Sequence, residues 1–361
     1  MSTPGAASRA ADALRDAVAS GVFPAAVAEV GYSNAAIWQH AAGTLTFKSA
    51  KPTTLDTIFD LASLTKPLAT GSLALQQCAA GVLTLDTPLA RVFPDWYGAD
   101  REAATVRDLL EHCSGLPARL LNRPATSRRE FEYDICTMPL DYPLRARSIY
   151  SDLDFVLLGF LIADLAGQSL PELFRQLLEA AGLRPTSDAR TYLAYGAPTS
   201  DRSHVAPTDP LAGDPRSGRR LVGEVHDDYA AALGGAAGHA GLFGTAAGVG
   251  AFARLALRGA RGDDSLVPPF SREWMTLARQ RSRVPGSSRA LGWDTMLSTS
   301  SCGTRMSATA FGHVGFTGTS IWIDPERDRY FVLLTNRACG GGTSEHMQLI
   351  RRSFHDTLAD L

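Results

Sequence analysis

Apolar and polar residues follow two different periods along this chain, and the switches between them outline its elements. Residues 8–20 place Leu14 and Val18 four positions apart with Gly21 behind them, the spacing of an amphipathic helix and its stop. Strand-like runs follow at 25–30 and 35–40, the second around Ile37 and Trp38, and Gly31-Tyr32-Ser33-Asn34 between them supplies turn residues. The pair reads as an antiparallel hairpin. The β-type run Thr57-Ile58-Phe59 then leads into a helical pattern from Ser63 to Ala80, closed by Gly81. Pro67 is compatible with the first turn of a helix, where N–H groups have no intrahelical acceptor.

Further helical patterns cover 105–112 behind Thr105, 153–166 ending at Gly167, 170–181 with Pro171 near its start, and 245–257. Residues 118–148 and 184–223 lack periodicity and are dense in Arg, Pro, Gly and Asp, so irregular structure bordering a cleft is expected there. The glycine-rich stretch 234–244 is followed by no G-K-[ST], which favours a structural turn over a phosphate loop. Strands at 320–324 and 330–334, joined by Pro325-Glu326-Arg327-Asp328, precede a closing helix at 345–358. Sheet-forming segments thus sit at both ends with helices between. The pattern predicts an α/β (α+β) fold: an antiparallel sheet flanked by helices and built from 1–62 and 240–361, a mainly helical inserted domain at 63–239, and an active site at their interface.

Composition narrows the function. The 361 residues are 45% hydrophobic, enough for a large core, and 35 basic against 37 acidic residues leave a formal charge of −2. No Lys/Arg cluster pairs with aromatics as on a nucleic-acid surface, so a small molecule is the expected partner. Five widely spread cysteines without C-x-x-C spacing argue against a disulfide framework or zinc ribbon. The first residues lack the apolar core of a secretory signal and no run is long enough to span a bilayer, so no membrane partner and a cytoplasmic location are expected.

The candidate chemistry starts at Ser63 and Lys66, three positions apart and on one face if the segment is helical. In isolation the pair reads more readily as an N-cap followed by a surface lysine. Tyr150 and Asp152 precede the helix at 153 and can face one cavity, and His313 lies in a glycine-punctuated run before the last strand pair. His226-Asp227-Asp228, His112 and His239 offer metal-ligand types, but none has the paired spacing of a zinc site. No metal and no cofactor are expected.

In this order the motifs resemble the serine β-lactamase and penicillin-binding protein superfamily, in particular its class C β-lactamase-like esterase branch. Ser63-Leu64-Thr65-Lys66 matches S-x-x-K, Tyr150-Ser151-Asp152 is similar to Y-x-N, and His313-Val314-Gly315 sits where K-T-G is expected. Leu110 to Pro117 and Ala240 to Thr245 extend the likeness. The resemblance implies Ser63 as nucleophile of an acyl-enzyme, a role shared by Lys66 and Tyr150 in proton transfer, and an oxyanion hole made of the Ser63 and Phe316 backbone N–H groups. It also implies that Asp152, His313, Gly315 and His239 lie near the substrate.

Two departures bear on substrate. Asp152 in place of Asn would hold Lys66 as a cation, and that cation would favour a Tyr150 phenolate. His313 in place of Lys is largely neutral at pH 7 and can hydrogen-bond Tyr150 instead of a substrate carboxylate. The expectation is a serine hydrolase cleaving small esters, with weak or no β-lactamase activity. Its alternatives are a D-amino-acid peptidase, amidase or β-lactamase, and a non-catalytic ligand-binding or assembly module of the same fold.

Overall fold

The computed structural model describes residues 5–120, 125–184, 189–359 and 361. Its strands, in chain order, are β1 Ala25–Gly31, β2 Ala36–Gly43, β3 Phe59–Asp60, β4 Leu193–Tyr195 and β5 Leu242–Gly244. They are followed by β6 Asp294–Thr295, β7 Phe311–Val314, β8 Ser320–Asp324 and β9 Arg329–Thr335. Six form one antiparallel sheet in the order β2-β1-β9-β8-β7-β6, with the two chain ends joined where Val27 pairs Leu334. A small sheet, β3-β5-β4, lies apart from it. The mixed fold, with its antiparallel sheet flanked by helices, is the one the periodicity predicts.

The period-2 alternation of the strands explains the layering. Ala25 and Val27 of β1, Ile321 and Ile323 of β8, and Val332 and Leu334 of β9 enter the main core. Their neighbours Ala26, Ala28, Val30, Trp322, Phe331 and Leu333 face a second core under the helices Ala6–Ala19 and Ser344–Leu358. Main-core side chains also come from the helices Ala246–Ala260 and Asp152–Ala166, the latter buried from Leu153 through Ile162. At about 25 cal/mol per Å² of apolar surface, each buried Leu or Phe contributes roughly 1.5–3 kcal/mol.

Three segments differ from the expectation, the first being 184–223, expected irregular, which supplies β4. Residues 118–148 contain a helix, Arg128–Thr137, capped by the Ser127 hydroxyl and burying Phe131, Ile135 and Cys136. Its apolar stripe is narrow and interrupted by Arg129, Glu130, Glu132 and Asp134, so the 3.6 period is weak in the sequence. The helix expected from Ser63 is a 3₁₀ turn Ala62–Leu64, a π-helical turn Lys66–Gly71 and only then an α-helix Ser72–Ala79. Pro67 has no N–H to donate to the Ser63 carbonyl, and Ala62 enters the turn with φ 48°, a left-handed value that costs a non-glycine residue on the order of 1 kcal/mol. No single helix among the described residues is long and apolar enough to cross a membrane.

Candidate active site

Ser63 stands on a turn anchored from three sides. The Asp60 carboxyl accepts the Ala62 N–H at 2.8 Å and the His226 N–H at 2.6 Å. Hydroxyls of Thr317 and Thr319 donate to the carbonyls of Asp60 and Leu61 at 2.8 and 3.0 Å, tying the turn to the segment between β7 and β8. Burial pushes the Asp60 carboxyl up to about 6, outweighing its two N–H donors. Gly315 is required by close approach: a Cβ there would lie 2.1 Å from Thr319 Oγ1 and 2.6 Å from the Leu61 carbonyl.

The structure brings Ser63, Lys66, Tyr150 and Asp152 together. Lys66 Nζ lies 3.1 Å from Ser63 Oγ, 2.5 Å from Tyr150 Oη and 2.7 Å from Asp152 Oδ1, and Tyr150 Oη lies 2.6 Å from Ser63 Oγ. Asp152 is the first residue of its helix, rather than a loop residue, with Ser151 as the cap whose hydroxyl accepts the Leu153 N–H at 3.2 Å. Burial opposes the Lys66 charge, but the Asp152 carboxylate and the Tyr150 oxygen overcome it and raise the ammonium above the usual lysine value. Burial raises the Tyr150 phenol, and Asp152 adds to this against the pull of Lys66. The phenolate expected from the Lys66 cation is therefore not the resting form, because desolvation and the Asp152 charge win.

Beneath this cluster lies a second one that the sequence did not disclose. The Arg119 guanidinium contacts Asp152 Oδ2 at 3.2 Å, Asp227 Oδ2 at 3.1 Å and the Asp228 carboxylate, and stacks over Tyr229 at 3.9 Å. His239 Nε2 faces Asp227 Oδ1 at 2.7 Å, while the His239 carbonyl lies 3.4 Å from Lys66 Nζ. His239 thus meets the site through its backbone, and its ring points to Asp227. The glycine-rich stretch allows this approach: a Cβ on Gly238 would sit 1.9 Å from the Phe155 carbonyl.

A cleft of about 530 Å³ opens onto Ser63, Tyr150 and Asp152, and is also lined by Arg289, His313, Gly315 and Phe316. His313 Nδ1 lies 2.8 Å from the Val314 carbonyl, so Nδ1 carries the proton; buried Nε2 has no partner among the described residues. The expected hydrogen bond from His313 to Tyr150 is replaced by a tilted ring contact at 6.0 Å between centroids. Burial, with Arg289 and Lys66 nearby, lowers His313 well below the usual histidine value and keeps it neutral. The backbone N–H groups of Ser63 and Phe316 make no hydrogen bond among the described residues, as a site for an oxyanion requires. Arg289, which sequence reasoning missed, holds its guanidinium 5.2 Å from the Tyr150 ring centre and makes no ion pair among the described residues.

Of the residues weighed as metal ligands, His239 meets Asp227, while the His226 ring stacks on Phe316 and His112 faces Asp154. No group of three or more His, Cys, Asp and Glu among the described residues is arranged to hold a metal ion.

The sequence model of the Beta-lactamase family matches residues 10–351. A protein of Escherichia coli (strain K12) named "Putative D-alanyl-D-alanine carboxypeptidase" is 29% identical over 326 residues, 82% of this chain and 72% of its relative. Among solved structures, EstCE1, a hydrolase with promiscuous acyltransferase activity, superposes with a TM-score of 0.74 at 20% identity, covering 97% of this chain and 98% of that one. A class C β-lactamase from Rhodobacter sphaeroides gives 0.72 at 19% identity over 96% and 97% of the two chains. A match that spans nearly the whole chain, on a fold shared with those structures, shows that this protein belongs to the Beta-lactamase family and is a serine hydrolase of that fold.

Proposed function

We propose that the protein hydrolyses small esters through an acyl-serine intermediate, with Ser63 as nucleophile and Tyr150 and Lys66 as the proton-transfer pair. The observation that carries this reading is the closed triangle of Ser63 Oγ, Tyr150 Oη and Lys66 Nζ, whose sides are 2.6, 3.1 and 2.5 Å. Ser63 Oγ attacks the ester carbonyl carbon while its proton passes to the Tyr150–Lys66 pair, after that pair has released one proton. The carbonyl oxygen takes up the negative charge between the N–H groups of Ser63 and Phe316. Collapse breaks the bond to the alkoxy group, which leaves as an alcohol with the proton held by the pair. Water then repeats the cycle on the acyl-enzyme and releases the acid. Neutral His313, in the place where the family often has a lysine, supports an uncharged substrate.

A second reading is supported by Arg289. Its unpaired guanidinium in the cleft offers a bidentate partner for a carboxylate, as a peptidase acting on D-amino-acid ends would need. The names of the Escherichia coli relatives point the same way.

The test is labelling with an alkyl phosphonate and turnover of a chromogenic short-chain ester. Ser63→Ala abolishes both while the far-ultraviolet circular dichroism is unchanged. Labelling of another serine, or residual turnover at the parent rate, overturns the assignment.

A further inference from the structure

The group that carries Tyr150 is held from behind by a residue outside the reacting triangle. His112 brackets Tyr150 on both sides: its carbonyl accepts the Ile149 N–H at 2.9 Å, and its Nδ1 accepts the Ser151 N–H at 3.2 Å. The Tyr142 hydroxyl donates to the same carbonyl at 3.2 Å. The imidazole ring packs 4.8 Å from the Tyr150 ring and 5.1 Å from Phe155, and His112 is 1% exposed. Its backbone is left-handed, with φ 55°, a value that surrounding contacts must enforce in a non-glycine residue.

The same Nδ1 lies 2.8 Å from Asp154 Oδ2, and Asp154 Oδ1 accepts the Ser114 hydroxyl at 2.6 Å. A ring nitrogen that accepts the Ser151 N–H carries no hydrogen of its own. With Nδ1 as the acceptor in both contacts, the proton shared with Asp154 belongs to the carboxyl group, and Nε2–H is left buried without a partner among the described residues. We propose that Ser114, Asp154 and His112 form a positioning relay for Tyr150, in which Asp154 is a neutral carboxylic acid donating to Nδ1 and His112 is the Nε2–H tautomer. Burial acts in the same direction on both partners, raising Asp154 well above the carboxylate range and lowering His112 well below the usual histidine value. The arrangement inverts the familiar histidine–aspartate pair, in which imidazole donates to carboxylate.

The relay deepens the proposed function, since it rests on Tyr150 as a reacting group. Its function is directional: two backbone anchors and a ring contact confine the phenol to hydrogen-bond distance from Ser63, where a misplacement of about 1 Å costs on the order of a hundredfold in rate.

Three measurements test it on the full chain. In nitrogen-15 NMR of imidazole-labelled protein, His112 Nδ1 shows no bound hydrogen; a hydrogen on Nδ1 overturns the proposal. Asp154→Asn supplies an amide N–H to Nδ1 and an oxygen to Ser114, so kcat stays within about twofold, whereas a loss of about tenfold or more overturns the proposal. His112→Phe keeps a ring but removes the acceptor, and it lowers kcat at least about tenfold with KM within about twofold. An unchanged kcat in this variant overturns the positioning role, and if the variant does not fold, Asp154→Asn and the nitrogen spectrum decide. Tyr150→Phe separates the two readings: if it turns over ester at the parent rate, the role of Tyr150 fails while the tautomer result stands on its own.

Discussion

Asp152 accepts a hydrogen bond from Lys66 across 2.7 Å, and this contact sets the charge state of the whole site. An Asn there would leave the cluster one negative charge short. With Asp152 present, Lys66 and Tyr150 are both raised, so the pair holds more tightly the proton that catalysis must remove.

Asp152→Asn therefore moves the rising limb of the kcat/KM profile to lower pH. The carboxylate raises both groups, so removing it lowers both. The check is the pH profile on an uncharged ester, with thermal melts run in parallel because Lys66 loses a buried partner. A limb that stays in place means that neither group supplies the base.

Arg289→Gln separates the two substrate readings. On a matched pair of esters, one bearing a carboxylate on the acyl side, KM for the charged ester rises about tenfold and KM for the neutral one stays within about twofold. Equal effects on both esters would remove the carboxylate reading and leave Arg289 as a wall of the cleft.

Gly315→Ala damages activity and stability together. The added Cβ meets Thr319 Oγ1 and the Leu61 carbonyl at 2.1 and 2.6 Å, so the Ser63 turn must retreat from β7. Overpacking of this kind costs about 1–3 kcal/mol. Denaturant unfolding and ester turnover measure the two effects; wild-type values for both would show that the turn is free to shift.

Asp60 gives the fold a pH dependence of definite sign. Burial pushes its carboxyl from the ordinary 3.8 up to about 6 in the folded protein, so the folded state binds the proton more tightly. The stabilisation this provides is fully present below about pH 4 and is lost as pH rises through 6, about 3 kcal/mol in all. Asp60→Asn removes that dependence. The comparison is unfolding free energy of the two proteins between pH 4 and 7, and a constant difference across the range contradicts the shift.

Much of the site was legible because its signals are local or ordered. Ser63 and Lys66 meet because three residues of any helical turn bring side chains to one face, and the 3₁₀ turn that replaces the expected helix preserves that. Tyr150, Asp152 and His313 were found through the order of motifs. Strand-like runs at both ends of the chain were enough to predict an antiparallel sheet shared by the two ends.

Other features depend on groups that meet only in the folded chain. Arg119 reaches Asp227 across 108 positions, and Arg289 comes to Tyr150 from a stretch with no periodicity, so neither leaves a mark in the sequence. The protonation of Tyr150 is likewise a tertiary matter. Sequence supplies the attraction of Lys66, but burial and the second charge on Asp152 decide the outcome, and both depend on how much water the fold excludes. The motifs, through the family they resemble, thus pointed to the reaction class, and three-dimensional packing decided which groups hold the protons.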